Sequence, residues 1–194
     1  MDIKTLEVRI ICVNTGMKYS DWYVDNLKHM IDKYSCIKYD SFECITDNTY
    51  DDERGVFNKL QMFDRFRDKQ NLYFDLDVLI KGDCNHFLRK KFTLCHAWWR
   101  VPYHTPLNSS IISWQGDVSH IFKFFEEDPE YYMLKYHRGI DQFIYENFEY
   151  QTYTKEDNYC SFQTVTEEQD YAVYLFNQRY QHMKENNWYS AFFL

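Results

Sequence analysis

The sequence predicts an α/β fold, a mostly parallel central sheet flanked by helices, in one domain spanning residues 1–194. Two observations lead there. Between residues 8 and 74, apolar runs of strand length alternate with segments whose apolar residues recur at helical spacing, the β-α-β-α-β order of a parallel sheet. Hydrophobic residues make up 45% of the chain and charged residues 27%, enough for a continuous core and too apolar for global disorder.

The elements follow in order. "LEVRIICVNTG" reads as a first strand that ends in a loop at Thr15 and Gly16. Ser20 stands as a helix N-cap, followed by Tyr23, Leu27, Met30, Ile31 and Tyr34 at helical spacing. "YDSFECITD" is a second short strand ending at Asp47, and "NTYDDERG" is a polar loop. Val56, Leu60 and Phe63 mark a second helix that carries Lys59 and ends near Arg67. A third strand runs from Asn71 to about Phe74. Beyond it the pattern is less regular. "FTLCHAWWR" is a strand with an aromatic tail, "VPYHTP" a loop and "NSSIISW" a short strand. Val118, Ile121, Phe122 and Phe125 give a helix stopped by Asp128 and Pro129. Asp141 to Phe148 is a short helix, "DYAVYLFN" a late strand, and the last ~17 residues a terminal helix or tail.

Composition excludes some functions. A net charge of −8 argues against a nucleic-acid backbone as partner, which needs a basic face. No apolar run approaches the ~18 residues of a membrane span, and "MDIKTLEVRI" is too charged for a signal peptide. The six cysteines form no C-x-x-C pair and none stands near a His at zinc-finger spacing, so they read as buried, reduced thiols of a cytoplasmic protein. Aromatic residues reach 20%, with 18 Tyr and 16 Phe; such rings fill a core and also suit a groove, being apolar with a polar tip. Ala occurs only at 97, 172 and 191, a usage that suits an AT-rich genome such as that of a phage or other virus.

The chemistry centres on "NLYFDLDVLIKGD", residues 71 to 83. Asp75 and Asp77 follow an apolar strand and precede another apolar run, Val78 to Ile80. Ligands of open α/β sheets bind outside the carboxyl ends of the strands. Residues two apart in extended chain point the same way, so both carboxylates face one side. Two such oxygen donors repel unless a cation or proton lies between them, and Mg²⁺ or Mn²⁺ suits the donor type. An apolar strand followed by Asp-Leu-Asp also marks haloacid-dehalogenase-type phosphatases, whose first Asp is a nucleophile. Their motif lies on the first strand and continues into Gly-Thr; here it begins at Asp75 and continues as Val78, Leu79, Ile80.

Several segments, in order, resemble the small GT-A-fold, nucleotide-sugar-dependent glycosyltransferases of the glycogenin-like or capsule-sugar kind. "VNTGMKYSDWYVDNL" is similar to the family's first strand and nucleoside loop, and "CITD" to its second-strand end. "NKLQMF" is similar to its Lys-Leu-x-x-Phe helix, "YFDLDVLIKGD" to its D-x-D strand, "NSSIISWQGD" to its sugar-site strand and "GIDQFIY" to its Asp-Gln helix start. The resemblance covers roughly residues 8 to 150 and implies a nucleotide-binding half over about 1–83 and an acceptor-side half over about 84–194. The implied reaction moves a sugar from a nucleotide-sugar donor, UDP-linked, to a carbohydrate or other hydroxyl acceptor.

The resemblance also implies roles. Asp77 is a direct ligand of Mn²⁺ or Mg²⁺, and Asp75 acts through metal, water or ribose. Thr15 and Tyr19 hold the base, Asp47 the base or ribose, and Lys59 the sugar or phosphate. Asn108, Ser109 and Gln142 contact the sugar, with Ser110 beside them. Asp141 is a general base if the reaction inverts, or holds hydroxyls if it retains. Trp98 and Trp99 suit stacking on an acceptor sugar. One departure stands out. The family ends a late strand with a His ligand followed by Gly and Lys, whereas this chain reads "AVYLFNQRYQHMK". Asn177, or alternatively His182, then takes the third metal position and Arg179 the diphosphate. The departure leaves open a non-catalytic sugar- or nucleotide-binding module of the same fold.

Overall fold

β1 (Val8–Val13) is buried along its whole length, and its side chains alternate between two apolar layers. Val8, Ile10 and Cys12 join one layer; Ile11 and Val13 join the other. This computed structural model describes residues 7–50, 55–101, 105–165, 169–177 and 190–194.

α1 (Asp21–Tyr34) lays Leu27, Met30 and Ile31 on the first layer. Ser20 is at its N-cap position, without a side-chain cap bond. β2 (Ser41–Ile45) returns parallel to β1. The helix expected from Val56 to Arg67 is instead a 3-10 turn, Val56–Leu60, running into the short α2 (Gln61–Arg65). The cause is tertiary. Buried Asn58 accepts from the backbone N–H groups of Thr49 and Tyr50 at 2.9 and 3.0 Å, which ties the segment to the preceding loop.

β3 (Gln70–Phe74) and β4 (Val78–Ile80) belong to different sheets. β5 (Thr93–His96) and β6 (Leu107–Gln115) follow, the latter longer than the sequence pattern implies. α3 (His120–Glu126) then meets α4 (Pro129–Lys135), which sequence reading missed. Asp128 and Pro129 are the start of α4 as much as the end of α3. The Asp128 carboxylate accepts from the Tyr131 N–H at 3.1 Å, and Pro129 occupies the first turn, where its missing N–H costs nothing. α5 (Ile140–Asn147), β7 (Gln151–Tyr153), β8 (Tyr159–Ser161) and β9 (Val173–Leu175) complete the described elements.

The main sheet runs β2-β1-β3-β6-β5-β7, and a small one β4-β9-β8. β1 pairs parallel with β2 and β3, β5 parallel with β7, while β6 runs antiparallel between β3 and β5. The small sheet packs with α1 in the first layer; Phe57, Phe63, Ile121, Phe143 and Ile144 fill the second. Cys12, Cys84, Cys95 and Cys160 are buried thiols, but Cys36 is exposed and Cys44 half-buried, and none is in a disulfide. Among the described residues no helix is long and apolar enough to cross a membrane.

Candidate active site

The carboxyl ends of β1 and β3 and the amino end of antiparallel β6 lie at one edge of the sheet. A cleft of about 1100 Å³ opens there. Asp75 stands just past β3, its N–H donating to the Ser110 carbonyl at 2.9 Å. Leu76 turns into the core. The Asp77 carbonyl accepts from Phe176 N–H at 3.0 Å, just past β9. The expected pairing holds across a bend rather than along one strand: both aspartates line the cleft, and the leucine between them borders it while its side chain packs into the core.

Asp75 is tightly held. Its Oδ1 accepts from Lys59 Nζ at 2.5 Å and from the Tyr73 hydroxyl at 2.5 Å. The Lys59 and Asp75 side chains are only 15% and 17% exposed. Burial works against the Asp75 charge, but the Lys59 ammonium and hydrogen bonds from Lys59, Tyr73 and Ser110 outweigh it and hold the carboxyl below the ordinary range. Burial and the Asp75 charge push the Tyr73 phenol well above its usual range, so it stays a donor. Tyr73 was not singled out from sequence, although a residue two before Asp75 on a strand shares its face.

Asn108, Ser109 and Ser110 are nearly buried at the start of β6 and line the cleft. Asn108 Oδ1 accepts from Ser110 N–H at 3.0 Å, and its amide donates to Asn177 Oδ1 at 3.2 Å. Asn177 sits in the left-handed region at φ +49 and donates to Ser161 Oγ at 2.8 Å, which brings the end of the small sheet to the cleft. Asp141, on the first turn of α5, has both oxygens engaged. Oδ1 accepts from Ser109 N–H at 3.0 Å and Oδ2 from the Arg100 guanidinium at 2.7 Å. Nothing in the spacing of the sequence pointed to Arg100.

Thr15 and Tyr19 line the cleft, with Thr15 Oγ1 donating to the Gly55 carbonyl at 3.4 Å. Gly55 has φ +63, and a Cβ there would meet Thr15 Oγ1 at 3.0 Å, so glycine permits the approach of these loops. Tyr19 packs edge-on against Tyr23 and carries the Lys18 ammonium 4.6 Å from its ring centre. Gln142 also lines the cleft and donates to Glu146 at 2.7 Å. Trp99 reaches the cleft; Trp98 instead packs against Tyr159 and stacks with His96. Asp47 is not among the cleft residues and pairs with Arg65 at 2.7 Å. Arg179 and His182 lie outside the described residues.

The donor types suit a hard divalent cation: the Asp75 and Asp77 carboxylates and the Asn177 amide all line the cleft. Among the described residues no three His, Cys, Asp or Glu side chains converge on one point. Such a site fits an ion that takes one or two carboxylates from protein and its other ligands from phosphate and water.

No family model matches the sequence, and no curated protein matches it. Solved structures do. A glycosyltransferase involved in the glycosylation of the major capsid of PBCV-1 superposes with a TM-score of 0.68 at 13% identity, covering 92% of this chain and 99% of that one. An active-site mutant of LgtC gives a TM-score of 0.59 at 9% identity, covering 87% of each chain. The apo-form glycosyltransferase GlyE of Streptococcus pneumoniae TIGR4 gives 0.58 at 9% identity, covering 96% of this chain and 62% of that one. At such identity the likeness establishes the fold, which is of GT-A type.

Proposed function

We propose that the chain is a metal-dependent glycosyltransferase, moving a sugar from a nucleotide-sugar donor, UDP-linked, to a carbohydrate or other hydroxyl acceptor. One observation carries the reading. Thr15, Lys59, Asp75, Asp77, Asn108, Ser109 and Asp141, far apart in the chain, line a single cleft at the carboxyl edge of a parallel β1-β3 pair. Sugar transfer breaks the bond between an anomeric carbon and a diphosphate, so the site must accept a departing polyanion. A bound Mn²⁺ or Mg²⁺ supplies Lewis-acid stabilisation of that charge. Asp77, with Asn177, holds the ion, while Asp75 stays fixed by Lys59 and Tyr73. Thr15 and Tyr19 take the base; Asn108, Ser109 and Gln142 take the sugar hydroxyls. In the cleft lining Arg100 pairs with Asp141 and Lys59 with Asp75, and Lys18 and Arg138 balance Asp77 and Glu146, so in a chain whose net charge is −8 the cleft is a place where an anionic donor meets little net repulsion.

The test is a panel of nucleotide sugars with Mn²⁺, scored for donor hydrolysis without acceptor. Sugar release from one donor identifies it. Binding without release from any donor supports the second reading, a non-catalytic nucleotide- or sugar-binding module. That reading is favoured by Asn177, which follows the late strand where the resemblance places a His ligand.

A further inference from the structure

We infer that Arg100 is a positioning residue for the proposed transfer, acting through Asp141 and Ser109; the inference rests on the glycosyltransferase reading. One guanidinium ties together three parts of the chain. Its Nη1 donates to the Thr105 and Leu107 carbonyls at 3.3 and 2.5 Å, and its Nη2 to Asp141 Oδ2 at 2.7 Å. Asp141 Oδ1 in turn receives the Ser109 N–H at 3.0 Å. The circuit runs from the β5–β6 connection through Arg100 to α5 and back to β6. The connection is pinched at its base by Ala97 N–H on the Pro106 carbonyl at 2.6 Å, and Arg100 N–H bonds the Ala97 carbonyl at 3.0 Å. The Arg100 and Asp141 side chains are 25% and 17% exposed, and both border the cleft.

The geometry serves orientation. With an arginine on one oxygen and a backbone N–H on the other, the Asp141 carboxylate cannot rotate. Its remaining lone pairs are thereby held in place at the border of the cleft, where they can accept from a sugar hydroxyl. Arginine fits the place because its planar fork reaches carbonyls and carboxylate at once; lysine, a point charge, cannot do both. The Arg100–Asp141 pair also offsets the carboxylate's charge, so a diphosphate donor meets little repulsion from that wall.

The test uses the full chain with the donor found in the hydrolysis panel. Arg100→Ala should lower kcat about 10²-fold, the scale for a reacting group displaced by about 1 Å, while the UDP dissociation constant changes less than about twofold. Asp141→Ala should show a similar loss. Arg100→Ala placed in that background should cost at most about twofold more, because both changes cut one linkage. Arg100→Lys should recover less than about a tenth of the lost rate, since it keeps the charge and loses the fork. A merely structural role would lower UDP binding and kcat together with the folded fraction. The inference is overturned if Arg100→Ala stays within about threefold of wild-type kcat, if the two losses multiply, or if lysine restores the rate. If Arg100→Ala does not fold, Arg100→Lys decides alone: full activity overturns the claim. A wild-type chain that hydrolyses no donor overturns the glycosyltransferase reading and this inference with it, whereas an active wild type with an unaffected Arg100→Ala overturns only the inference.

Discussion

Lys59→Met should destabilise the protein in a way that depends on pH. Lys59 Nζ lies 2.5 Å from Asp75 Oδ1, and both side chains are mostly buried. Removing one partner of a buried ion pair leaves an uncompensated charge and costs about 3–5 kcal/mol. Asp75 keeps hydrogen bonds from Tyr73 and Ser110 and borders an open cleft, so the expected cost at pH 7 is about 1–3 kcal/mol. In the wild type the folded carboxyl titrates below the unfolded value of about 3.9. Its contribution is therefore present above that pH and lost as pH falls through the folded value. Without Lys59, burial is opposed only by the Tyr73 and Ser110 hydrogen bonds, and the folded carboxyl should titrate higher than in the wild type. The penalty at pH 7 then fades as pH falls through that higher value toward the wild-type one. Urea denaturation midpoints at several pH values measure both curves. Asp75→Asn removes the charge, so Lys59→Met in that background should cost little at any pH. A difference between wild type and Lys59→Met that does not shrink as pH falls, or is undiminished in the Asp75→Asn background, would refute the electrostatic account.

Three further outcomes are expected. Asp77→Asn should weaken Mn²⁺-dependent UDP binding by about 1–3 kcal/mol, measured by calorimetry with and without EDTA; equal affinity in both conditions in the wild type removes the metal claim. A generic aryl phosphate should not turn over; turnover that disappears in Asp75→Asn would instead mark a phosphohydrolase with an aspartyl nucleophile. Asp128→Ala should cost about 1 kcal/mol in thermal or urea melts by removing the α4 cap, with UDP binding unchanged.

The first half of the fold was legible because its strands and helix are local patterns. β1, α1, β2 and β3 fall where apolar runs and helical spacing put them. Of the small sheet only β9 was, inside "DYAVYLFN"; its partners Val78–Ile80 and Tyr159–Ser161 are too short to carry a period and exist through pairing with β9. α4 was hidden by a proline that reads equally as a stop and a start. At the candidate site, the ends of strands announced Asp75, Asp77 and Asn108. Arg100 and Asp47 show the limit. Arg100 reaches Asp141 only through the folding back of the β5–β6 connection, and Asp47 sits at a strand end but turns to Arg65. Neither outcome depends on nearby sequence.

The two aspartates of the cleft are anchored to different sheets. Asp75 is bonded through its backbone to β6 of the main sheet, Asp77 to the residue after β9 of the small one. Only the bend at Leu76 joins them along the chain. The spacing of the two carboxylates is thus set by the angle between two slabs of structure, as the gap of a caliper is set by its jaws. A substitution deep in the small sheet, at Val173 or Tyr174, would change the gap between the carboxylates without touching either, and a ligand that draws them together would stiffen the joint between the slabs.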